Sequence, residues 1–173
     1  MTAPADSGPE DRLARMIEVR PIGLDDHASL RYLHAACLLG QSEDGLSQAD
    51  AEAFVRLVYS PLYSDLMLEG ELYGGWLHGE LVGSACWHAI GDQPAIARLG
   101  PVVVRHTRFG IGRHLLSVVE ERALAAGIQQ FTAWTTANAV PFFERFGYEV
   151  ASRGVKTLSP ECTLPVTFLR KSV

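Results

Sequence analysis

Two rhythms of hydrophobic residues alternate along the chain. In the first third, apolar residues recur every three or four positions, which predicts helices. These helices are expected over residues 24–39, from Ser47 onwards and over 62–68. Shorter apolar runs bounded by glycine-containing turns predict strands in a hairpin arrangement. They are expected over residues 17–21, 72–77, 81–89 and 96–104.

The second half of the chain returns to the helical rhythm and then alternates. A helix is expected from Gly112 to Gly127, because apolar residues repeat at three- and four-residue spacing between these glycines. A strand over 128–135, a short helix over 138–146 and two final strands over 148–157 and 164–171 complete the pattern. Helices, a meander and then a β-α-β-α-β-β order make this a mixed α/β chain.

Length and composition favour one globular domain. The chain has 173 residues, of which 47% are hydrophobic and 20% charged. This length allows a sizeable core, and it is short for two domains. Residues 1–15 are rich in proline, serine and acidic residues, so we predict a flexible tail there and one domain over 16–173.

Charge and cysteine content exclude several classes of function. Fifteen Lys and Arg against twenty Asp and Glu give a net charge of −5, which disfavours nucleic acid as a partner. No apolar stretch is long enough to cross a membrane, and the first residues do not form a secretory signal. The three separated cysteines, Cys37, Cys86 and Cys162, fit reduced thiols in a cytoplasm and predict no metal site.

The segment over residues 102–113 carries the first chemical signal. An apolar strand runs directly into the turn Arg108-Phe109-Gly110-Ile111-Gly112, which opens a helix. The first amides of a helix have no internal partner and lie at its positive end, so they can bind a phosphate group. Gly-x-Gly at such a turn is also common where only tight packing is needed. The dinucleotide and nucleoside-triphosphate loops are excluded, because Leu115 and Arg113 stand where those motifs need other residues.

A second motif follows one strand and one helix later, over residues 138–148 with the sequence Asn-Ala-Val-Pro-Phe-Phe-Glu-Arg-Phe-Gly-Tyr. Together the two segments resemble the GNAT superfamily of N-acetyltransferases. The resemblance covers residues 17 to the C-terminus. It implies an α/β fold with a mixed, mostly antiparallel central sheet, flanked by helices and splayed where a coenzyme inserts.

The resemblance also implies a binding site for acetyl-coenzyme A. The backbone of Val102, Val103 and Val104 would pair with the pantetheine arm. Asn138 would hydrogen-bond that arm, and Phe142 and Phe143 would flank it. Backbone amides of the glycine turn would hold the diphosphate, and Arg105, Arg108 or Arg113 would add positive charge. The amides are those of Arg108, Phe109, Gly110, Ile111, Gly112 and Arg113.

Two departures from the family pattern concern the chemistry. Thr107 stands where the family usually has Gln or Arg, which weakens the expected grip on the diphosphate unless Arg108 takes over. Phe143 stands where the family often has the tyrosine that protonates the leaving thiolate. Solvent, Thr135 or Thr136 could supply that proton instead.

The sequence does not identify a dedicated catalytic base. The strand before the glycine turn carries no acid where many relatives have one. Alternatives are His88, Glu71, Asp92, a water chain or an acceptor amine of low pKa. No cysteine with a base beside it is expected in the cleft, which favours direct transfer over an acetyl-enzyme.

The sequence thus predicts acetyl transfer from acetyl-coenzyme A to an amine of a small molecule or peptide. The rivals are a non-catalytic coenzyme A sensor and an enzyme that uses a longer acyl donor. The early helices would cover the acceptor side through Phe54, Tyr59, Tyr63 and Leu66. We expect Trp76, Trp87 and Trp134 in the core, and the charged residues 120–122 on the solvated face of their helix. The last strands are candidates for a homodimer interface.

Overall fold

Eight strands form one sheet. The computed structural model describes residues 13–40 and 47–173. Its strands are β1 Glu18–Pro21, β2 Glu71–Leu77, β3 Glu80–Ile90, β4 Gln93–Leu99, β5 Val103–Val104, β6 Gln130–Thr135, β7 Glu149–Ser159 and β8 Cys162–Ser172. They are ordered β1-β2-β3-β4-β6-β8-β7, with β5 beside β3, and only the β4–β6 pair is parallel. This confirms the mixed, mostly antiparallel sheet.

Five helices of five residues or more flank the sheet in the described residues. They are α1 His27–Gly40, α2 Gln48–Val58, α3 Pro61–Leu68, α4 Ile111–Ala125 and α5 Val140–Glu144. Helix α2 begins as predicted, because the Ser47 side chain caps it by accepting the Asp50 amide. Pro61 begins α3, at a position where its missing N–H costs no hydrogen bond.

The sheet separates two hydrophobic cores. Helix α4 packs against alternate residues of the central strands, such as Tyr73, Ala85 and Trp87. Helices α1, α2 and α3 pack against the neighbouring residues of the same strands, such as Leu72 and Cys86. Because successive side chains of a strand point to opposite faces, these helix groups lie on opposite sides of the sheet. The structure is therefore a single-domain α/β fold with helices on both faces.

The strand predicted over residues 96–104 is wrong as one continuous element. Strand β4 ends at Leu99, residues 100–102 leave the ladder, and β5 resumes at Val103. Gly100 makes this break compact, because a Cβ there would overlap the Cys86 sulfur. Strand β4 pairs with both β3 and β6, whereas β5 pairs with β3 alone. The sheet therefore splays between β5 and β6.

Some predicted boundaries shift by a few residues. Residues 13–15, predicted as the end of the tail, form a helical turn, and Leu13 packs against the core; residues 1–12 lie outside the described part. Helix α1 includes Gly40, which was expected to end it. Ala126 caps α4 and is exposed rather than buried.

Glu120 corrects the prediction that residues 120–122 form a solvated face. Its carboxylate accepts hydrogen bonds from the Tyr148 hydroxyl at 2.6 Å and the Lys171 ammonium at 2.8 Å. Burial and the Glu120 carboxylate both raise the pKa of Tyr148, so the phenol stays protonated and donates. Glu120 thus ties α4 to β8 and to the start of β7.

We predict that Glu120→Ala lowers the free energy of unfolding by about 2 kcal/mol, because it leaves the buried Tyr148 hydroxyl without its acceptor. Glu121→Ala removes the neighbouring, exposed carboxylate and should change the free energy by no more than about 0.5 kcal/mol. Urea unfolding of both variants measures the difference. Equal losses would contradict the bridging role of Glu120.

Candidate functional site

The splay in the sheet opens a cleft of about 1260 Å³. Strand β5, the turn before α4, the end of β6 and helix α5 form one part of its lining. Residues of α1, α2 and α3 form the other part, including His34, Phe54 and Tyr63. The cleft therefore joins the two sequence motifs with the early helices, which were expected to cover the acceptor side, and adds His34, which was not predicted.

Strand β5 offers a free edge to this cleft. The Arg105 amide donates to the Val82 carbonyl at 2.8 Å, which fixes the alternation of hydrogen bonds along the pair. Val103 therefore directs its backbone groups towards β3, and Val102 and Val104 direct theirs away from it. The Cys37 thiol donates to the Val104 carbonyl at 3.2 Å. Of the three predicted valines, Val102 and Val104 can thus supply backbone hydrogen bonds to an extended ligand.

The turn after β5 presents amides and positive charge. Gly110 caps α4 with a φ of 73°, and Arg108 adopts the same left-handed region with a φ of 71°. Most side chains avoid this region, so Arg108 holds an unfavourable backbone conformation. The first amides of α4 have no partner within the helix, and Gly110 at the N-cap has no side chain to cap them. Arg108 and Arg113 line the cleft beside these amides.

Two other predicted members of the turn lie differently. Phe109 does not line the cleft, and its exposed ring meets the edge of His106 at 6.4 Å between ring centres. Arg105 pairs with Glu80 across the β3–β5 ladder and is not part of the lining. The positive charge at the cleft mouth therefore comes from Arg108 and Arg113, joined by Arg145 of the second motif.

The second motif closes the cleft from the opposite side. Asn138 accepts a hydrogen bond from the Thr136 hydroxyl at 2.5 Å, which leaves its amide hydrogens to face a ligand. Phe142 and Phe143 pack edge to face at 5.2 Å, and Phe143 is buried against Tyr148. Phe142 also lies beside Gly112, so the two motifs meet at the first turn of α4.

A buried polar chain at the cleft escaped sequence analysis. His34 Nε2 lies 2.6 Å from the Ser84 hydroxyl, and His34 Nδ1 forms a short hydrogen bond with the Tyr63 hydroxyl. His34, Tyr63 and Ser84 are 2%, 3% and 0% exposed. Burial lowers the pKa of His34 to about 4, so the imidazole is neutral near pH 7. Spacing along the chain gave no signal, because 29 and 50 positions separate His34 from its partners.

The cysteines are protonated thiols. Burial raises the pKa of Cys86 to about 11 and also raises the pKa values of Cys37 and Cys162. All three are free, as predicted. Cys37 lines the cleft, but a thiol with a raised pKa is a poor nucleophile. This chemistry disfavours a covalent acetyl-enzyme.

Other sequence-based candidates divide between cleft and core. Trp76 and Trp87 are buried in the core as predicted, whereas Trp134 is half-buried and lines the cleft. Phe54 and Tyr63 line the cleft, and Tyr59 and Leu66 do not. His88 lies outside the lining, where burial and Arg98 lower its pKa, so the geometry gives a His88 base no support.

The described ranges contain neither a metal-binding cluster of side chains nor a helix that could cross a membrane. No group of three or more His, Cys, Asp or Glu in residues 13–40 and 47–173 is arranged to hold a metal ion. No helix in the same ranges is long and apolar enough to cross a membrane.

Comparison with known proteins identifies the family. Residues 42–157 match the family model described as an acetyltransferase (GNAT) domain. This match spans more than half of the chain, so the chain belongs to the GNAT acetyltransferase family, and the resemblance in its two motifs is confirmed. No curated protein matches the sequence.

Solved structures agree in fold. A GCN5-related N-acetyltransferase from Rhodopseudomonas palustris has a TM-score of 0.80 at 22% identity, over 91% of this chain and 96% of that one. PaiA N-acetyltransferase from Thermoplasma acidophilum, in complex with coenzyme A, has a TM-score of 0.67 at 18% identity, over 91% and 99%. A ribosomal-protein-alanine N-acetyltransferase from Brucella melitensis has a TM-score of 0.62 at 18% identity, over 90% and 99%.

We predict that His34 makes stability depend on pH. The unfolded chain takes up a proton below about pH 6.5, but the folded protein does not protonate His34 until about pH 4. The free energy of unfolding is therefore undiminished by His34 above pH 6.5. It falls as the pH drops from 6.5 to about 4, and the total loss amounts to about 3 kcal/mol.

Urea unfolding at several pH values measures this dependence. His34→Leu should flatten it between pH 6.5 and 4, whereas His78→Asn, at an exposed turn histidine, should keep it. An unchanged slope in His34→Leu would show that His34 is not the group responsible.

Proposed function

We propose that this protein transfers an acetyl group from acetyl-coenzyme A to a primary amine of a small molecule or peptide. The transfer is direct, within a ternary complex. The observation that carries the proposal is the free edge of β5, which leads straight into the first amides of α4 and the arginines beside them. A peptide-like arm ending in a diphosphate needs this combination of groups.

The residues of the cleft fit the two parts of the coenzyme. Val102 and Val104 offer N–H and C=O groups to the amides of the pantetheine arm, as a sheet edge binds an added strand. Amides from Ile111 to Arg113 receive the diphosphate, and Arg108 adds charge beside them. Asn138 donates to the arm from the side of the second motif. The coenzyme then runs from α4 back towards the strand break, with its thioester end near Gly100.

The chemistry depends on the acceptor. No Asp or Glu is among the described residues that line the cleft, so the lining offers no carboxylate base. Deprotonating a lysine-like amine at pH 7 costs about 4.6 kcal/mol, whereas an α-amine of pKa near 7.8 costs about 1 kcal/mol. We therefore favour an acceptor amine of low pKa that loses its proton to ordered water and attacks the thioester carbonyl. The three protonated thiols agree with a reducing cytoplasm, and homodimerisation through the edge strand β7 stays a prediction.

A non-catalytic coenzyme A sensor is the second candidate. The specific observation in its favour is Phe143, which packs against Phe142 and Tyr148 and carries no hydroxyl to protonate a thiolate. A sensor would bind the coenzyme in the same cleft without turning it over. An enzyme that uses a longer acyl donor is a further variant.

We predict that the purified protein binds acetyl-coenzyme A and releases free thiol when α-amines are added. Calorimetry measures binding, and a thiol reagent measures turnover with a panel of peptide α-amines, small aliphatic amines and lysine side chains. We expect faster release with the low-pKa amines. Binding without turnover across the panel would favour the sensor, and absence of binding would contradict both candidates.

We predict that Gly112→Ala weakens coenzyme binding without weakening the fold. A Cβ at this position meets Phe142 at 3.4 Å and Val104 at 3.5 Å, which is ordinary contact, so the folded chain accommodates it. Alanine also favours a helix by about 1 kcal/mol over glycine. The added methyl group nevertheless occupies the cleft beside the diphosphate amides.

Thermal unfolding and calorimetry separate the two effects. Gly112→Ala should keep or raise Tm and increase the Kd for coenzyme A about tenfold, a change of about 1.4 kcal/mol. Glu121→Ala on the same helix should leave the Kd unchanged. An unchanged Kd in Gly112→Ala would mean that Gly112 serves packing alone.

A further inference from the structure

The polar chain of Ser84, His34 and Tyr63 has a defined direction. Ser84 is fully buried, and His34 Nε2 is the one hydrogen-bond partner of its hydroxyl within the described residues. A neutral imidazole carries one hydrogen and accepts at its other nitrogen. If Ser84 donates to Nε2, its hydrogen is satisfied, and the imidazole hydrogen must then lie on Nδ1. Either direction leaves one hydroxyl hydrogen without a partner among these three groups. The reverse direction would strand the hydrogen of Ser84, which is fully buried and outside the cleft lining, whereas this direction leaves the hydrogen of Tyr63, which lines the cleft.

This direction fixes what Tyr63 presents to the cleft. His34 Nδ1–H donates to the Tyr63 oxygen, so the Tyr63 hydrogen is not used by His34. Tyr63 is almost fully buried, and the surface that it does present belongs to the cleft lining. His34 is the one hydrogen-bond partner of this hydroxyl among the described residues, and because His34 donates, the Tyr63 hydrogen has no acceptor there. Tyr63 therefore carries a hydrogen-bond donor whose free direction is the cleft.

Tyr63 also lies at the correct end of the cleft. Tyr63 and Cys86 belong to the same hydrophobic core, and the Cys86 carbonyl accepts the Gly100 amide at 2.9 Å. Tyr63 is thus near the break between β4 and β5. Ser84 faces Val103 in the ladder, which places the whole polar chain beside β5. A coenzyme bound as proposed brings its sulfur to this end, away from the diphosphate amides of α4.

We propose that Tyr63 is the hydrogen donor to the coenzyme A sulfur, with His34 and Ser84 as positioning residues. The inference rests on the proposed function and supplies the hydroxyl that Phe143 lacks. The acceptor nitrogen bonds to the carbonyl carbon, and the carbon–sulfur bond breaks. In the same step sulfur takes the Tyr63 hydrogen while the Tyr63 oxygen receives the proton that the nitrogen must lose to become an amide. No tyrosinate is left behind, which matters because burial raises the pKa of Tyr63. The net change moves one hydrogen from nitrogen to sulfur.

The test compares turnover with binding in matched variants. Tyr63→Phe should lower kcat about 30-fold and leave the Kd for coenzyme A unchanged. The factor is the ratio of thiol to thiolate at pH 7 for a thiol of pKa near 8.5, because the variant must expel a thiolate. Tyr59→Phe removes an exposed hydroxyl outside the cleft and should match the wild type. The wild type should also show a solvent deuterium isotope effect on kcat that Tyr63→Phe abolishes, which a merely structural role would not produce.

Variants of His34 test the positioning role and cover the case in which Tyr63→Phe folds poorly. His34→Asn keeps an N–H near the Nδ1 position and should retain more turnover than His34→Leu. The double variant Tyr63→Phe/His34→Leu should be no slower than Tyr63→Phe alone, because both changes interrupt one chain.

The outcomes separate this inference from the proposed function. Wild-type turnover that Tyr63→Phe leaves unchanged, or a Tyr63→Phe defect confined to coenzyme binding, would overturn the donor role alone. A 30-fold loss in Thr135→Val without one in Tyr63→Phe would assign the donor to Thr135 and also overturn it. Equal turnover in His34→Asn and His34→Leu would overturn the positioning role. Failure of the wild type to bind coenzyme A would instead contradict the proposed function itself.

Discussion

The break between β4 and β5 is the constraint on which the rest of the site depends. Strand β4 pairs with β3 on one side and with β6 on the other, whereas β5 pairs with β3 alone among the described strands. Gly100 and Pro101 produce this change. Gly100 approaches Cys86 too closely for a side chain, and Pro101 has no N–H to continue a ladder. A regular strand here would close the sheet and remove both the cleft and the free backbone groups.

The same break arranges two different environments along one cleft. At the α4 end, the first helical amides and the arginines that line the cleft suit a diphosphate. At the other end, helices α1 and α3 bring a buried imidazole and phenol next to the strand. Charge at one end and neutral hydrogen-bonding groups at the other match a carrier whose anionic group is remote from its reactive thioester. In the function that we propose, the coenzyme's diphosphate and the reacting thioester therefore occupy different ends of the cleft.

Local patterns predicted much of the fold and half of the site. The glycine turn and the Asn138–Phe143 motif were visible because each is contiguous, and the residues predicted there to bind the coenzyme all line the cleft apart from Phe109. The break between β4 and β5 was missed, because apolar residues stand on both sides of it, at Leu99 and at 102–104. His34, Ser84 and Tyr63 were missed as a group because only the tertiary fold brings them together. Glu120 was misassigned for the same reason, since its partner Lys171 lies 51 positions away.

Hydrogen–deuterium exchange with and without coenzyme A tests the central claim most directly, because it reports on individual backbone amides. If the free edge of β5 and the start of α4 form the coenzyme site, the amides of Val102, Val104 and Ile111 to Arg113 should exchange more slowly when the coenzyme is bound. The amides of the β7 edge strand should be unaffected. Saturating coenzyme that protects a different surface, or leaves these amides unchanged, would contradict the account.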